Sequence, residues 1–296
     1  MQAQDNQFYY AESRLVPRST LKSYLHHYQT HIQPQRQQQV QQGLIRSHEL
    51  YTLRITAEKE GDFPTWNVLE LIGVEYAEQA QALQQHTSTS TSTSTSTSTS
   101  TSTSTSTSTS TSTSTSTSTS TSTSTSTSTS TSTSTSTSTS ASMDALVTVV
   151  RQELLVSTPA SHFPYPPEHV HKRKLKPFFA VEYVDVQQPY LDEFRDIMIT
   201  NNGPAMNYIL EHKRWCYCMI ALETVNVYMQ HPDAPNWNQI HVIGLYPEAM
   251  LKYKNDFGEG LKPAGISFTD NFHRLEQIRT MRYKALGKRY NGLKHM

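Results

Sequence analysis

The chain has 296 residues with 25 basic and 25 acidic side chains, so its net charge gives no general attraction to nucleic acid or to an anionic membrane. No apolar run approaches the ~20 residues that span a bilayer, and residues 1–5 lack the basic and apolar parts of a secretory signal. The two cysteines, Cys216 and Cys218, lie two residues apart, where a disulfide is geometrically poor. We therefore expect a cytoplasmic protein with two buried thiols and without a nucleic-acid or membrane partner.

The first part of the chain alternates strand-like and helix-like patterns. A β-rich run at 8–12 precedes a helix that Ser19 or Thr20 can cap, with apolar residues at helical spacing as far as Ile32. Pro34 and the glutamine-rich segment 35–42 weaken the helical pattern, so this helix is predicted to end there. The elements predicted next are strands at 51–56 and 66–74 and a helix at 77–85.

Residues 87–140 are 27 uninterrupted Thr-Ser pairs. Such a tract has no apolar side chain large enough to offset the entropy of ordering it, so it is predicted to be disordered. A strand-like segment follows at 145–155 and supplies the last strand of the first domain. The tract is therefore interpreted as an insertion in a loop of that domain.

The second part of the chain repeats the same order of elements. The predicted elements are a strand at 178–182, a helix bearing Leu191, Phe194 and Met198, strands at 215–223 and 237–245, a helix at 248–255 and a last strand at 273–283. Residues 157–177 contain five prolines and read as the connector.

One phrase of the sequence occurs twice. Pro, Trp, Asn, Ile and Gly of residues 63–74 recur in residues 234–245 at a constant offset of 171, which indicates two copies of one supersecondary unit. The helical positions Leu21, Tyr24 and Tyr28 recur as Leu191, Phe194 and Met198 at an offset of 170. The predicted domains are 1–156, which includes the insertion 87–140, and 178–296, joined by the connector 157–177.

Two β-α-β-β-α-β units in one chain resemble the dimeric α/β-barrel superfamily, and within it the tandem NIPSNAP-like and EthD-like groups. The resemblance implies an α+β fold in which two tandem ferredoxin-like domains form one intramolecular pseudo-twofold barrel. It also implies a lumen that holds a small molecule, a haem or a peroxide-type reaction.

Alternation along the repeated third strand separates two faces. The face with Leu69 and Leu71 is predicted to pack under helices, and the face with Trp66 and Glu70 is predicted to line the lumen. The candidate catalytic residues are Glu70, His241 and Arg54, and the candidate substrate-binding residues are Trp66, Trp237, Tyr217, Glu12 and Glu182. Glu70 and His241 occupy equivalent positions of the two copies.

These residue types also have structural explanations. The two tryptophans can be packing anchors, and Glu12 and Glu182 can form ion pairs with Arg54 or Arg14. His27 and His31 are four residues apart on one helical face, but without a third ligand they do not predict a metal site.

The functional hypothesis is an enzyme that performs cofactor-independent proton transfer, of the monooxygenase, cyclase or isomerase type, on a small, largely apolar organic ligand. Glu70 and His241 would exchange protons and Arg54 would bind an anion. One alternative is a non-catalytic NIPSNAP-like binding protein whose lumen is filled by its own side chains. The other is a haem-binding barrel with His241 as axial ligand. A homo-oligomer is compatible with each of them.

Overall fold

The computed structural model describes residues 7–84, 147–166 and 174–290, together with the backbone of 108–109 and 121–122. The chain divides into two compact units. One comprises Met1–Gln85 and Leu146–Met296, and the other comprises His86–Ala145.

The first unit is built on eight strands. In chain order, with the two short strands of the second unit included as β4 and β5, the strands are β1 Phe8–Leu15, β2 Ser47–Lys59, β3 Val68–Val74, β4 Ser108–Thr109, β5 Thr121–Ser122, β6 Thr148–Ser157, β7 Phe178–Val186, β8 Cys216–Gln230, β9 Gln239–Leu245 and β10 Arg279–Arg289. In the second unit, β4 and β5 pair antiparallel with each other.

Helices follow the first and third strands of each half. They are α1 Leu21–His27, α2 Gln33–Gln41, α3 at 77–84, α4 Leu191–Ile197, α5 Gly203–Tyr208, α6 Ala249–Leu261 and α7 Phe268–Ile278. A π-helical turn, Tyr28–Ile32, joins α1 to α2, and the turn Met198–Asn202 joins α4 to α5. Of the helices that the structure describes, none is long and apolar enough to cross a membrane.

The eight strands close into one barrel in the order β1-β3-β2-β10-β7-β9-β8-β6. Within each half the order is the same, because β6-β1-β3-β2 corresponds to β10-β7-β9-β8. All pairs are antiparallel. The prediction of an α+β fold with a closed barrel is confirmed.

Side chains fill the interior of the barrel. One apolar cluster draws its buried members from all eight strands and from no helix, so it lies inside the barrel. At its centre the rings of Trp66 and Trp237 stack with their centroids 5.2 Å apart, and Tyr183 packs against both at 4.9 and 5.0 Å. The indole N–H of Trp237 donates to the buried Glu153 over 2.8 Å. The expected lumen for a substrate is therefore not formed.

The two faces of the third strand are the reverse of those predicted. Leu69 and Leu71 belong to the interior cluster, and Glu70 lies on the outer face under the helices. The reason is Asn67, whose amide accepts from the backbone N–H of Val16 at 2.9 Å and donates to its carbonyl at 2.8 Å. This bridge lies just before β3 begins at Val68, and it interrupts the alternation of side chains at that point. Trp66 therefore points into the barrel, although Glu70, an even number of residues later, points outward.

Two predicted boundaries are also corrected. The glutamine-rich segment forms α2, since Pro34 lies in its first turn, where the missing N–H costs nothing. Residues 273–278 belong to α7 and the last strand begins at Arg279, because Ser267 caps that helix by accepting from the backbone N–H of Asp270. Most of the Thr-Ser tract predicted to be disordered, and part of the 157–177 connector, lie outside the described residues.

The division into two units predicts that the Thr-Ser tract is dispensable for the barrel. Replacing residues 87–140 by a linker of about eight Gly and Ser residues should preserve cooperative thermal unfolding. It should also stabilise the protein by roughly 1–1.7 kcal/mol, since each halving of a loop recovers about 0.6 kcal/mol of closure free energy. Differential scanning calorimetry of both proteins measures this, and a shortened chain without a cooperative transition would contradict it.

Candidate functional site

A cavity of about 1030 Å³ lies in the second half of the barrel unit, between the outer face of the sheet and the helices. Its floor is formed by β7, β9 and β10, and its roof is formed by α5, α6 and α7 with the turn Met198–Asn202. The walls are mainly apolar, and Phe257, Phe268 and Phe272 lie on the helix side. Exposed residues such as Glu58 and Lys59 at its edge place the entrance beside the end of β2.

Three polar side chains lie next to one another on the floor of this cavity. Strand pairing puts His241 of β9 opposite Glu182 of β7, and Glu182 opposite Lys284 of β10. The Nδ1 atom of His241 lies 3.5 Å from Oε2 of Glu182, and the Nζ atom of Lys284 lies 2.6 Å from Oε1 of the same carboxylate. The three residues thus form a continuous polar row across three strands.

The charges in this row determine the ionisation state of Glu182. Burial alone would raise the pKa of its carboxyl group, but Lys284 and His241 outweigh burial and lower the pKa well below its usual range. Glu182 is therefore a carboxylate at neutral pH and can accept a hydrogen bond from Nδ1 of His241. That interaction orients the ring and favours the form of the imidazole with its lone pair on Nε2.

The other ring nitrogen of His241 is not engaged. The side chain is only 3% exposed, and within the described part of the chain its Nε2 atom has no hydrogen-bond partner. The ring of Phe194 lies parallel to it, with centroids 6.3 Å apart. Buried polar atoms are normally satisfied, so an orphaned nitrogen in the wall of a cavity indicates a place for a ligand.

Three buried methionines, Met198, Met206 and Met219, line the same cavity. A methionine side chain has three rotatable bonds and a polarisable sulfur, so it can move to admit a bulky ligand. The cavity thus combines adaptable apolar walls with one oriented imidazole.

The equivalent region of the first half is filled by charged groups. Glu70 is held by Arg14 at 2.8 Å, His48 at 3.0 Å and Arg36 at 3.4 Å, and Tyr28 hydrogen-bonds to His48. Burial opposes ionisation of Glu70, but the two arginines and His48 hold its pKa well below its usual range. These contacts bind the helix layer directly to the sheet.

The structure does not bring Glu70 and His241 together. Three strands lie between β3 and β9 in the barrel, and each of the two residues faces the helix layer of its own half. Glu12 lies 2.7 Å from Arg14 in the charged cluster of the first half, whereas Glu182 is the partner of His241.

The remaining candidates lie elsewhere. Trp66 and Trp237 are at the centre of the barrel interior. Tyr217 packs at the edge of that interior and accepts a hydrogen bond from Arg289 at 3.2 Å. Arg54 is exposed on β2 and is not among the residues that line the cavity.

Sequence reasoning missed Met206, Met219 and Lys284. The internal repeat carried the signal, because the offset of 170 or 171 residues pairs Arg36 with Met206 and His48 with Met219. Around Glu70 the first half carries arginine and histidine, whereas around His241 the second half carries methionine. This difference in the sequence indicates which half keeps a cavity.

No family model and no curated protein matches the chain. Solved structures of similar fold are those of chlorite dismutase from Candidatus Nitrospira defluvii. The complex with imidazole has a TM-score of 0.46 at 9% identity and covers 97% of this chain and 92% of that chain. A complex of a mutant with cyanide has a TM-score of 0.41 at 8% identity and covers 97% and 92%.

The separation of Glu70 from His241 removes the geometric basis of cofactor-independent proton transfer between them. The prediction of a site without a cofactor, in which these two residues exchange protons, is therefore withdrawn. The narrower resemblance to NIPSNAP-like and EthD-like proteins stays a prediction.

Glu70 should stabilise the first half through its arginine partners. The substitution Glu70→Gln removes the charge that Arg14 and Arg36 face in a buried place, so we expect the free energy of unfolding to fall by about 3 kcal/mol at pH 7. The pKa of Glu70 is lowered by folding, so its contribution is present above about pH 4.5 and is lost as the pH falls. Urea unfolding at pH 7 and at pH 3 measures the difference.

The exposed Glu78→Gln is the matched control, because it removes the same charge at the surface. It should change stability by less than about 0.5 kcal/mol at both pH values. If Glu70→Gln were as stable as this control at pH 7, the carboxylate would not hold the charged cluster together.

Proposed function

We propose that this protein binds haem in the cavity of its second half, where His241 would hold the iron. The observation that carries the proposal is the buried Nε2 atom of His241, which has no partner within the described residues. Histidine is a common protein ligand of haem iron. The ring of such a ligand must also be held in one orientation, and Glu182 does this for His241.

The size and chemistry of the cavity support the same assignment. A volume of about 1030 Å³ is at the upper end of the range of ordinary ligand pockets, which suits a molecule as large as a porphyrin. The phenylalanines of α6 and α7 and the methionines offer the apolar surface that the macrocycle needs. Arg279 and Lys59 line the cavity as well, and they supply positive charge for the carboxylates of haem.

Each residue would have a distinct part. His241 would bind the iron through Nε2, Glu182 would hold the ring in place, and Lys284 would keep Glu182 ionised. Haem would supply one-electron chemistry at this place. The protein would exclude water from the side of the site where His241 lies, since this residue is almost fully buried.

We also infer that the two halves descend from one ferredoxin-like unit. The repeated strand order, the equivalent asparagine bridges of Asn67 and Asn238 and the equivalent π-helical turns support this inference. In one copy charged residues fasten the helices to the sheet, and in the other their replacement leaves space for a ligand.

A second candidate is a carrier of an apolar organic molecule in the same cavity. The cluster of aromatic rings on its helix side supports it, since Phe268 and Phe272 lie with their centroids 4.4 Å apart beside Phe257. Such a carrier would use His241 as a hydrogen-bonding group. A wild-type protein that gives no Soret band with haemin, but binds a fluorescent fatty acid more tightly than His241→Ala does, would favour this candidate.

Titration of the purified protein with haemin tests the proposal. We expect a Soret band that saturates at one haemin per chain. His241→Ala should remove most of the high-affinity binding, with partial recovery in added imidazole, and Glu182→Gln should weaken binding by about 10–100-fold.

His212→Ala is the control, because His212 lies exposed at the end of the helix layer. It should bind haemin like the wild type. Equal binding by wild type and His241→Ala would show that His241 is not the ligand, and a wild-type protein without a Soret band would refute haem binding.

A further inference from the structure

Met206 differs from the other methionines of the cavity in its position relative to His241. It is buried on α5 and it lines the cavity together with His241. Its position relative to His241 can be derived from the first half, where the equivalent side chains are in contact.

The π-helical turns give the alignment of the two helix layers. The turn Tyr28–Ile32 corresponds to the turn Met198–Asn202 at an offset of 170 residues. The same offset pairs Arg36 of α2 with Met206 of α5. On the sheet, the offset of 171 pairs Glu70 with His241.

Arg36 reaches across from the helix layer to the sheet, where its Nε atom lies 3.4 Å from Oε1 of Glu70. A side chain at this helical position therefore faces the side chain at this strand position. The second half has the same order of elements, and Met206 and His241 line the same cavity from a helix and from a strand. The equivalence with Arg36 and Glu70 therefore assigns Met206 to the helix side of the cavity, across from the strand that carries His241.

The other methionines of the cavity do not have this relation to His241. Met219 and Met281 lie on β8 and β10, in the same sheet as His241, so they approach from its own side. The sulfur of Met198 accepts a hydrogen bond from the Asn202 amide at 3.3 Å. Met250 is 72% exposed at the rim.

We propose that the thioether of Met206 would hold the haem iron together with His241. This proposal rests on the proposed haem binding. Histidine and methionine ligation raises the reduction potential of haem iron. With both residues bound to the iron, the site would suit exchange of single electrons with a redox partner rather than binding of an oxygen or peroxide substrate.

The test compares haem-loaded wild type with Met206→Leu, a substitution that conserves volume and should preserve folding. The wild type should give a low-spin spectrum with a sulfur-to-iron charge-transfer band. Met206→Leu should lose this band, become high-spin, bind added cyanide faster and have a lower reduction potential. The Soret band should remain in the variant, because His241 is intact.

Met229→Leu is the matched control, because Met229 lies on β8 and does not line the cavity. It should keep the wild-type spectrum and potential. A haem-loaded wild type that is high-spin, or a Met206→Leu variant with an unchanged spectrum, would overturn the assignment of Met206 and leave haem binding by His241 in place. A wild-type protein that takes up no haem would overturn both proposals. Circular dichroism of each variant verifies that the spectral changes do not come from unfolding.

Discussion

The stack of Trp66 on Trp237 at the centre of the barrel is the contact on which the architecture depends. The two residues hold the same place in the repeated segments of the sequence, and this aromatic pair joins the two four-stranded parts of the barrel. Stacked aromatic pairs contribute about 0.5–1.5 kcal/mol beyond the burial of their surface, and Tyr183 and Tyr283 extend this pair into a larger cluster. The interior is thereby occupied, and any site for a large ligand must lie outside the barrel, under the helices.

The two halves then use the same outer face in different ways. In the first half Glu70 is surrounded by Arg14, Arg36 and His48, and the charges are stable there only because each has a partner. In the second half the equivalent residues are mostly apolar, and His241 keeps a single partner, Glu182. Without such a charged cluster, the helices of this half leave a space above the sheet, and one imidazole lines it.

One physical rule relates the difference in sequence between the two halves to the difference between their sites. A buried ion-pair cluster needs nearly all its members, because one unpaired charge in the interior costs several kcal/mol. Once one arginine of such a cluster is replaced, replacement of the others becomes favourable. At the positions equivalent to Glu70, Arg36 and His48 the second half carries an imidazole and two thioethers, and Val184 stands at the position of Arg14. Imidazole and thioether groups are both ligands of haem iron.

The sequence by itself determined the order of elements and the equivalence of the two halves, because the Trp-Asn phrase and the helical spacing of Tyr24 and Phe194 depend only on local periodicity. It also paired Glu70 with His241. It could not decide which face of β3 turns inward, because the bridge from Asn67 to Val16 is a tertiary contact between segments about fifty residues apart. The pairing of His241 with Glu182 and the space opposite Met206 were likewise decided by tertiary structure, since they depend on strand register and on how closely the helices approach the sheet.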